Sequence, residues 1–437
     1  MKNNKSKFSK YLVSGVAALA LAAGAAGSAS AAENGKFRVG IVTFLSGPAA
    51  GPFGVPSANA AKVLVDELNK GNLPAPYDKV GINGLEIEAV VIDEAGGATK
   101  QVEEYRNLVQ RQNVDAVIGY VSSGDCLAIA PVAEELKTFT IAYDCGTPRL
   151  FADNPDAQYM FRTGLDASVD NIGAVRYLAA TRPDVTRLAG IQQNYSWGQD
   201  SWADFTAAAS ALLPEAEVVE EQFPKIYQGQ YGAEISALSV KRPEIVHSSF
   251  WGGDMEALVL QANARGLLED ATGLLTCGEA SFATYKDQAP NGMIIGARGP
   301  FGQFAPDNEL NTWFEGVYQN AYDLEPVYPA TKMAQAILGL KYAAENAGVA
   351  DKEIPSAEQL AAAMKGATFE SVSGTVEMAR GNGHQAMQGI TYGEYHYEDG
   401  VASIKNAVSF DGECVTPPEG VAAADWIADG FPGAKCN

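Results

Sequence analysis

Phe37-Arg38-Val39-Gly40-Ile41-Val42-Thr43-Phe44 reads as a buried strand, and Leu45-Ser46-Gly47-Pro48 after it as a glycine-bearing turn. An amphipathic helix then runs from Asn59 to Asn69. The same unit returns along the chain. Leu85 to Asp93 is a strand and Thr99 to Arg111 a helix; Val114 to Gly119 is a strand, Leu127 to Leu136 a helix, and Phe139 to Tyr143 a strand. Alternating strand and helix predicts a parallel sheet with helices on both faces.

The pattern starts again downstream. Helices are expected at Ala167 to Ala180, Trp202 to Leu212, Tyr231 to Leu238 and Met255 to Ala264. Strands are expected at Arg187 to Gln192, Ala216 to Phe223, Glu244 to Ser249 and Leu274 to Cys277. Two such units in series imply an α/β protein of two doubly wound parallel-sheet lobes, and 437 residues are too many for a single core. After Gly292, helices follow at Asn308 to Tyr322, Tyr328 to Asn346 and Ala357 to Lys365. A β-like, glycine-rich tail begins at Ser371, and Thr416 to Asn437 is rich in Pro and Gly.

The N-terminus is of another kind. Lys2, Lys5, Lys7 and Lys10 precede an uncharged run from Tyr11 to Gly27, and Ala29-Ser30-Ala31 offers a small-x-small cleavage site. Residues 1–32 read as a secretory signal peptide, cleaved and without a Cys that would carry a lipid anchor. The export route implies a periplasmic protein. A net charge of −22 disfavours nucleic acid and anionic lipid as partners.

Catalytic signatures are missing. The sequence contains neither G-x-x-x-x-G-K-[ST] nor G-x-S-x-G, and its three histidines, His247, His384 and His396, form no H-E-x-x-H. The reading is a binding protein and not an enzyme, with no cofactor and no metal. In open parallel sheets, ligands sit beyond the carboxyl ends of the strands. Those ends carry Ser122-Ser123-Gly124, Tyr143-Asp144-Cys145-Gly146-Thr147, Asn194-Tyr195-Ser196-Trp197, Phe250-Trp251-Gly252 and Cys277-Gly278-Glu279. Serines, glycines, aromatics and a few acids suit a small pocket with polar ends and a flat apolar middle.

The first strand with Leu45-Ser46-Gly47-Pro48 and Gly54 resembles the opening of type I periplasmic binding proteins, in particular the leucine/isoleucine/valine-binding group of branched-chain amino acid ABC transporters. Ile118-Gly119 with Ser122-Ser123, Phe161-Arg162-Thr163 with Gly164-Leu165-Asp166, Trp197-Gly198 and Gly278-Glu279 extend the resemblance from Lys36 to about Tyr395. It implies a Venus flytrap, two lobes joined by a three-segment hinge and closing on a ligand. By that likeness lobe one is 33–164 with 298–370, and lobe two is 165–297 with 371–437.

The resemblance also implies site residues. Ser123 falls where the family binds the ligand carboxylate, although a serine at a helix start is also an ordinary cap. Cys145-Gly146-Thr147 is the next contact loop, with Gly146 where the family has a threonine. Glu279 matches the acid that meets the ligand ammonium. Phe53, Trp197 and Trp251 match aromatic pocket walls, a role that competes with plain core packing. Tyr195, Phe250 and Asp144 are weaker candidates.

Five cysteines in an oxidising compartment suggest two bridges and one remaining thiol. Cys126 and Cys145 follow neighbouring strands and are expected to pair, Cys414 and Cys436 to pin the tail, and Cys277 to stay reduced. The expected role is capture of an amino acid or similar small polar solute for the membrane permease of an ABC importer, by a monomer. Urea or a short amide, and a small aromatic acid, are alternative ligands. Ligand presentation to a sensory receptor is an alternative role.

Overall fold

A computed structural model describes residues 35–436. The leader expected over 1–32 lies outside the described residues.

Among the described residues, fifteen strands form two sheets. Strands β1 (Lys36–Thr43), β2 (Glu86–Asp93), β3 (Ala116–Gly119), β4 (Thr140–Ala142) and β5 (Met160–Arg162) are parallel in the order β2-β1-β3-β4-β5. Strands β6 (Arg187–Ile191), β7 (Glu217–Gln222), β8 (Ile245–Ser248), β9 (Thr272–Leu275) and β10 (Met293–Gly296) repeat this as β7-β6-β8-β9-β10. The central strands β3, β8 and β10 are buried along their whole length, as continuous apolar runs covered by helices on both faces require. Each sheet reverses its winding direction beside its first strand, which opens a crevice at the carboxyl ends.

The last five strands finish both sheets. Strands β11 (Thr368–Ser371), β12 (Gly374–Arg380) and β13 (Gln385–Met387) extend the first sheet, β13 parallel to β5 and the others antiparallel. Strands β14 (Ile390–Glu398) and β15 (Val401–Phe410) extend the second, β14 antiparallel to β10 and β15 antiparallel to β14. The chain therefore returns to the second sheet between Met387 and Ile390, beyond the boundary at 370/371 that the sequence suggested. The two other crossings run from β5 to helix Ala167–Thr181 and from β10 to the helices Glu309–Tyr322 and Tyr328–Glu345. The last of these helices packs on helix Val55–Lys70 of the first lobe.

Both expected bridges are formed, Cys126–Cys145 and Cys414–Cys436, and Cys277 is a buried thiol. The first bridge ties helix Ser123–Leu136 to the loop after β4. The second closes the C-terminal segment, whose Trp426 and Phe431 bury against the second lobe.

Candidate ligand-binding site

The carboxyl ends of the two sheets face each other, and the lobes touch across the seam. Gly253 N donates to Pro48 O at 2.8 Å, and Thr147 Oγ1 donates to Asp200 Oδ2 at 2.8 Å. Between these bonds lies a cavity with about 200 Å³ of empty volume.

Phe53, Val121, Ser123, Asp144 and Gly146 line it from the first lobe, with Tyr328 from the start of helix Tyr328–Glu345. Tyr195, Trp197, Trp251 and Cys277 line it from the second lobe, and Arg298 from the crossing after β10. Seven residues expected from the sequence thus share one cavity: Phe53, Ser123, Asp144, Gly146, Tyr195, Trp197 and Trp251.

The walls are mostly rings. Phe53 meets Trp251 edge-on at 5.4 Å and Tyr328 edge-on at 5.4 Å. Trp251 Nε1 donates to Tyr195 Oη at 2.6 Å, and Trp197 Nε1 donates to Ser249 O at 2.7 Å. Both indoles are fixed through their only donor, which makes them rigid walls.

The polar end is built around Arg298. Its Nε donates to Asp170 Oδ2 at 3.0 Å, Nη1 to Asp144 O at 2.8 Å and Oδ1 at 2.5 Å, and Nη2 to Leu165 O at 3.2 Å. The guanidinium also lies 4.3 Å over the Trp197 ring. Burial works against its charge, but Asp170 and Asp144 outweigh it and hold the group well above its usual range. Lys332 Nζ donates to the same Asp144 Oδ1 at 2.7 Å, and burial, with Arg298 nearby, draws its ammonium down to about 8. Asp144 Oδ2 and Tyr328 Oη are buried without a hydrogen-bond partner.

Gly146 explains itself here. A Cβ at this position would stand 2.3 Å from Arg298 Nη2 and 2.3 Å from a Trp197 ring carbon. Only the absence of a side chain lets the guanidinium lie on the indole.

At the other end, Ser122 caps helix Ser123–Leu136, its side chain accepting from Asp125 N, and Ser123 is the first helical residue. Ser123 Oγ accepts from Thr147 N at 3.2 Å. Just ahead of the helix the buried Glu94 takes the N–H groups of Val121, at 2.9 Å, and Ser122, at 2.8 Å. Burial, helped by Asp125, pushes the Glu94 carboxyl well above the ordinary range.

Four expected residues lie outside the lining. Glu279 is fully buried, and its carboxylate accepts from Gln303 N at 2.9 Å and from Tyr328 N at 2.6 Å. It caps a first-lobe helix from the second lobe instead of facing the cavity. Gly302, at φ +54°, makes room for it, since a Cβ there would fall 2.1 Å from Glu279 Oε1. Cys145 is bridged to Cys126, Thr147 bonds Asp200 across the seam, and Phe250 packs edge-on against Tyr231 at 5.0 Å. Val121, Cys277, Arg298 and Tyr328 were missed. Arg298 follows the carboxyl end of β10, so the strand-end rule reaches it once that strand is recognised; nothing in the sequence marks Tyr328.

Two α/β lobes closing on a small cavity at their crevices define a solute-binding protein of the Venus-flytrap kind. A profile of the periplasmic binding protein family matches residues 36–400, and the chain belongs to that family. The leucine-specific-binding protein of Salmonella typhimurium is 25% identical over 290 residues, 66% of this chain and 72% of that one. Among solved structures, a solute-binding protein of an ABC transporter from Rhodopseudomonas palustris BisB5, in complex with 3,4-dihydroxybenzoic acid, superposes with a TM-score of 0.73 at 21% identity, covering 86% of this chain and 98% of that one. A branched-chain amino acid transporter substrate-binding protein of Streptococcus pneumoniae, in complex with isoleucine, gives a TM-score of 0.69 at 17% identity, covering 86% and 99%. At these identities the structural likenesses establish the fold alone. Among the described residues, no helix is long and apolar enough to cross a membrane.

Proposed function

We propose that this protein captures a small solute in the periplasm and delivers it to the membrane permease of an ABC importer, without a catalytic step. The observation that carries the reading is the cavity at the lobe seam, lined by rings from both lobes together with Ser123, Asp144 and Arg298. Such a site holds a small molecule with a polar group and a flat or apolar body. The family supports the role. An amino acid or similar polar solute fits by the name of the Salmonella relative. A small aromatic acid is the second reading, favoured by the ring-lined walls.

Glu279 enters this reading as part of closure. Its two bonds cross from one lobe to the other, so it rewards the shut form and leaves ligand recognition to the cavity wall. Isothermal titration with L-leucine, L-isoleucine, urea, benzoate and 4-hydroxybenzoate tests the reading. Saturable one-site binding of at least one solute is expected, and it should be lost in Trp251→Ala. Binding that survives intact in Trp251→Ala, or no binding across the panel, would count against capture at this cavity.

A further inference from the structure

The polar wall of the cavity is unusual in what it already contains. Asp144 and Asp170 meet Arg298, and Asp144 also meets Lys332, so two acids stand against two bases and their charges cancel. All four side chains are buried. A ligand group arriving here finds no uncompensated charge to neutralise.

The hydrogen-bond inventory is not balanced in the same way. Asp144 Oδ2 is a buried acceptor with no partner. Tyr328 Oη is buried, makes no formed hydrogen bond, stands beside the Cys277 thiol, and can both donate and accept. The bonds of Arg298 use its Nε hydrogen, both hydrogens of Nη1 and one hydrogen of Nη2, which leaves the second Nη2 hydrogen to give. The wall therefore has something to take and something to give, with zero net charge.

We propose that this wall recognises an uncharged group that both donates and accepts, a hydroxyl or a carboxamide, and that Arg298 is the residue that turns away an ammonium. The inference rests on the solute-capture reading and narrows its ligand class. An ammonium would satisfy Asp144 Oδ2 but could accept nothing from Arg298, and it would set a third positive charge beside Arg298 and Lys332. A carboxylate would accept from Arg298 but stand against Asp144. A hydroxyl gives its proton to Asp144 and takes the remaining Arg298 hydrogen or the Tyr328 proton, so Asp144 Oδ2 gains the partner it lacks. Gly146 belongs to the same device. It leaves the space in which the guanidinium lies on Trp197, so a cation is installed at this wall before any ligand arrives.

Matched ligands test this. L-leucine is compared with 2-hydroxy-4-methylpentanoate. Benzoate is compared with 4-hydroxybenzoate, 4-carbamoylbenzoate and 4-(aminomethyl)benzoate. Calorimetric titration of the mature protein should rank the hydroxyl or carboxamide member above its ammonium counterpart by roughly tenfold or more, and 4-hydroxybenzoate above benzoate. Tyr328→Phe, which removes only a hydroxyl, should shrink the preference for 4-hydroxybenzoate over benzoate. An ammonium ligand that binds as well as its hydroxyl partner overturns the inference but leaves solute capture standing. Failure of every probe to bind overturns both.

Discussion

Gly146 shows how a single absent side chain shapes the site. Gly146→Ala drives a methyl into both the Arg298 guanidinium and the Trp197 ring, and neither can yield easily. Arg298 is held by Asp144, Asp170 and Leu165 O, and Trp197 by Ser249 O. The expected outcome is a loss of solute affinity of roughly tenfold or more with a lowered melting temperature, measured by titration and thermal unfolding. Unchanged affinity would mean that the stack does not shape the pocket. Glu279 supports a second prediction. Burial raises its carboxyl to about 8 in the closed form, against the opposing Gln303 and Tyr328 N–H bonds, from an ordinary 4.5 when exposed. A raised acid favours the closed form at low pH. That advantage is complete below about 4.5 and is lost as pH rises through about 8. At pH 7, closure should therefore take up protons, and the uptake should shrink in Glu279→Gln. Titrations in buffers of different ionisation enthalpy measure this, and equal uptake in both proteins would rule it out. From sequence, Glu279 was expected as a ligand contact because the resemblance puts it where the family's acid meets the ligand ammonium, at a strand end. Which way a carboxylate turns at that end is decided by Tyr328, 49 residues downstream, and strand periodicity carries no such information.

Helices and strands were largely legible because most carry one strong local signal. Buried apolar runs mark β3, β8 and β10, and Ser356 caps helix Ala357–Met364 with a full capping box. Helix starts were read late where the first turn lacks apolar periodicity. Helix Ser196–Leu212 opens on Ser196-Trp197-Gly198, which looked like a loop until Trp202. The C-terminal elements were harder. Strands β12 and β13 join the first sheet although β14, next in sequence, belongs to the second, because sheet membership is set by pairing with β11 and β5 rather than by local pattern. The tail beyond β15 depends on its bridge and on Trp426 and Phe431 for attachment. Replacing Cys414 and Cys436 together by Ser should lower unfolding stability by about 3 kcal/mol and leave solute affinity unaltered. Thiol titration of the unfolded, unreduced parent should find one reactive cysteine, Cys277, and finding three or more would contradict the pairing.

At the scale of the molecule, the three crossings are wired to the cavity. Arg298 sits on one crossing and bonds Leu165 O on another, while it holds Asp144 of the first lobe and Asp170 of the second. Gln335 of helix Tyr328–Glu345 donates to Thr163 O at 2.6 Å and to Gln388 Oε1 at 2.9 Å, joining the first crossing to the third. Closure is then a rotation about a hinge whose segments move together. Small-angle scattering should show a smaller radius of gyration with saturating solute than without it. An unchanged radius in the presence of demonstrated binding would mean that the lobes do not swing.

The placement of the tryptophans has an optical consequence. Of the five in the chain, Trp197 and Trp251 stand in the seam, whereas Trp202, Trp313 and Trp426 pack elsewhere. Separation of the lobes would wet both seam indoles and slide the edge of Trp251 away from Phe53. Trp197 would lose the facing residues of the first lobe. Intrinsic emission should therefore move to longer wavelength as the flytrap opens and return when solute shuts it. The protein carries its own built-in dye for the event, and the kinetics of capture can be followed by stopped-flow fluorescence on the unlabelled chain.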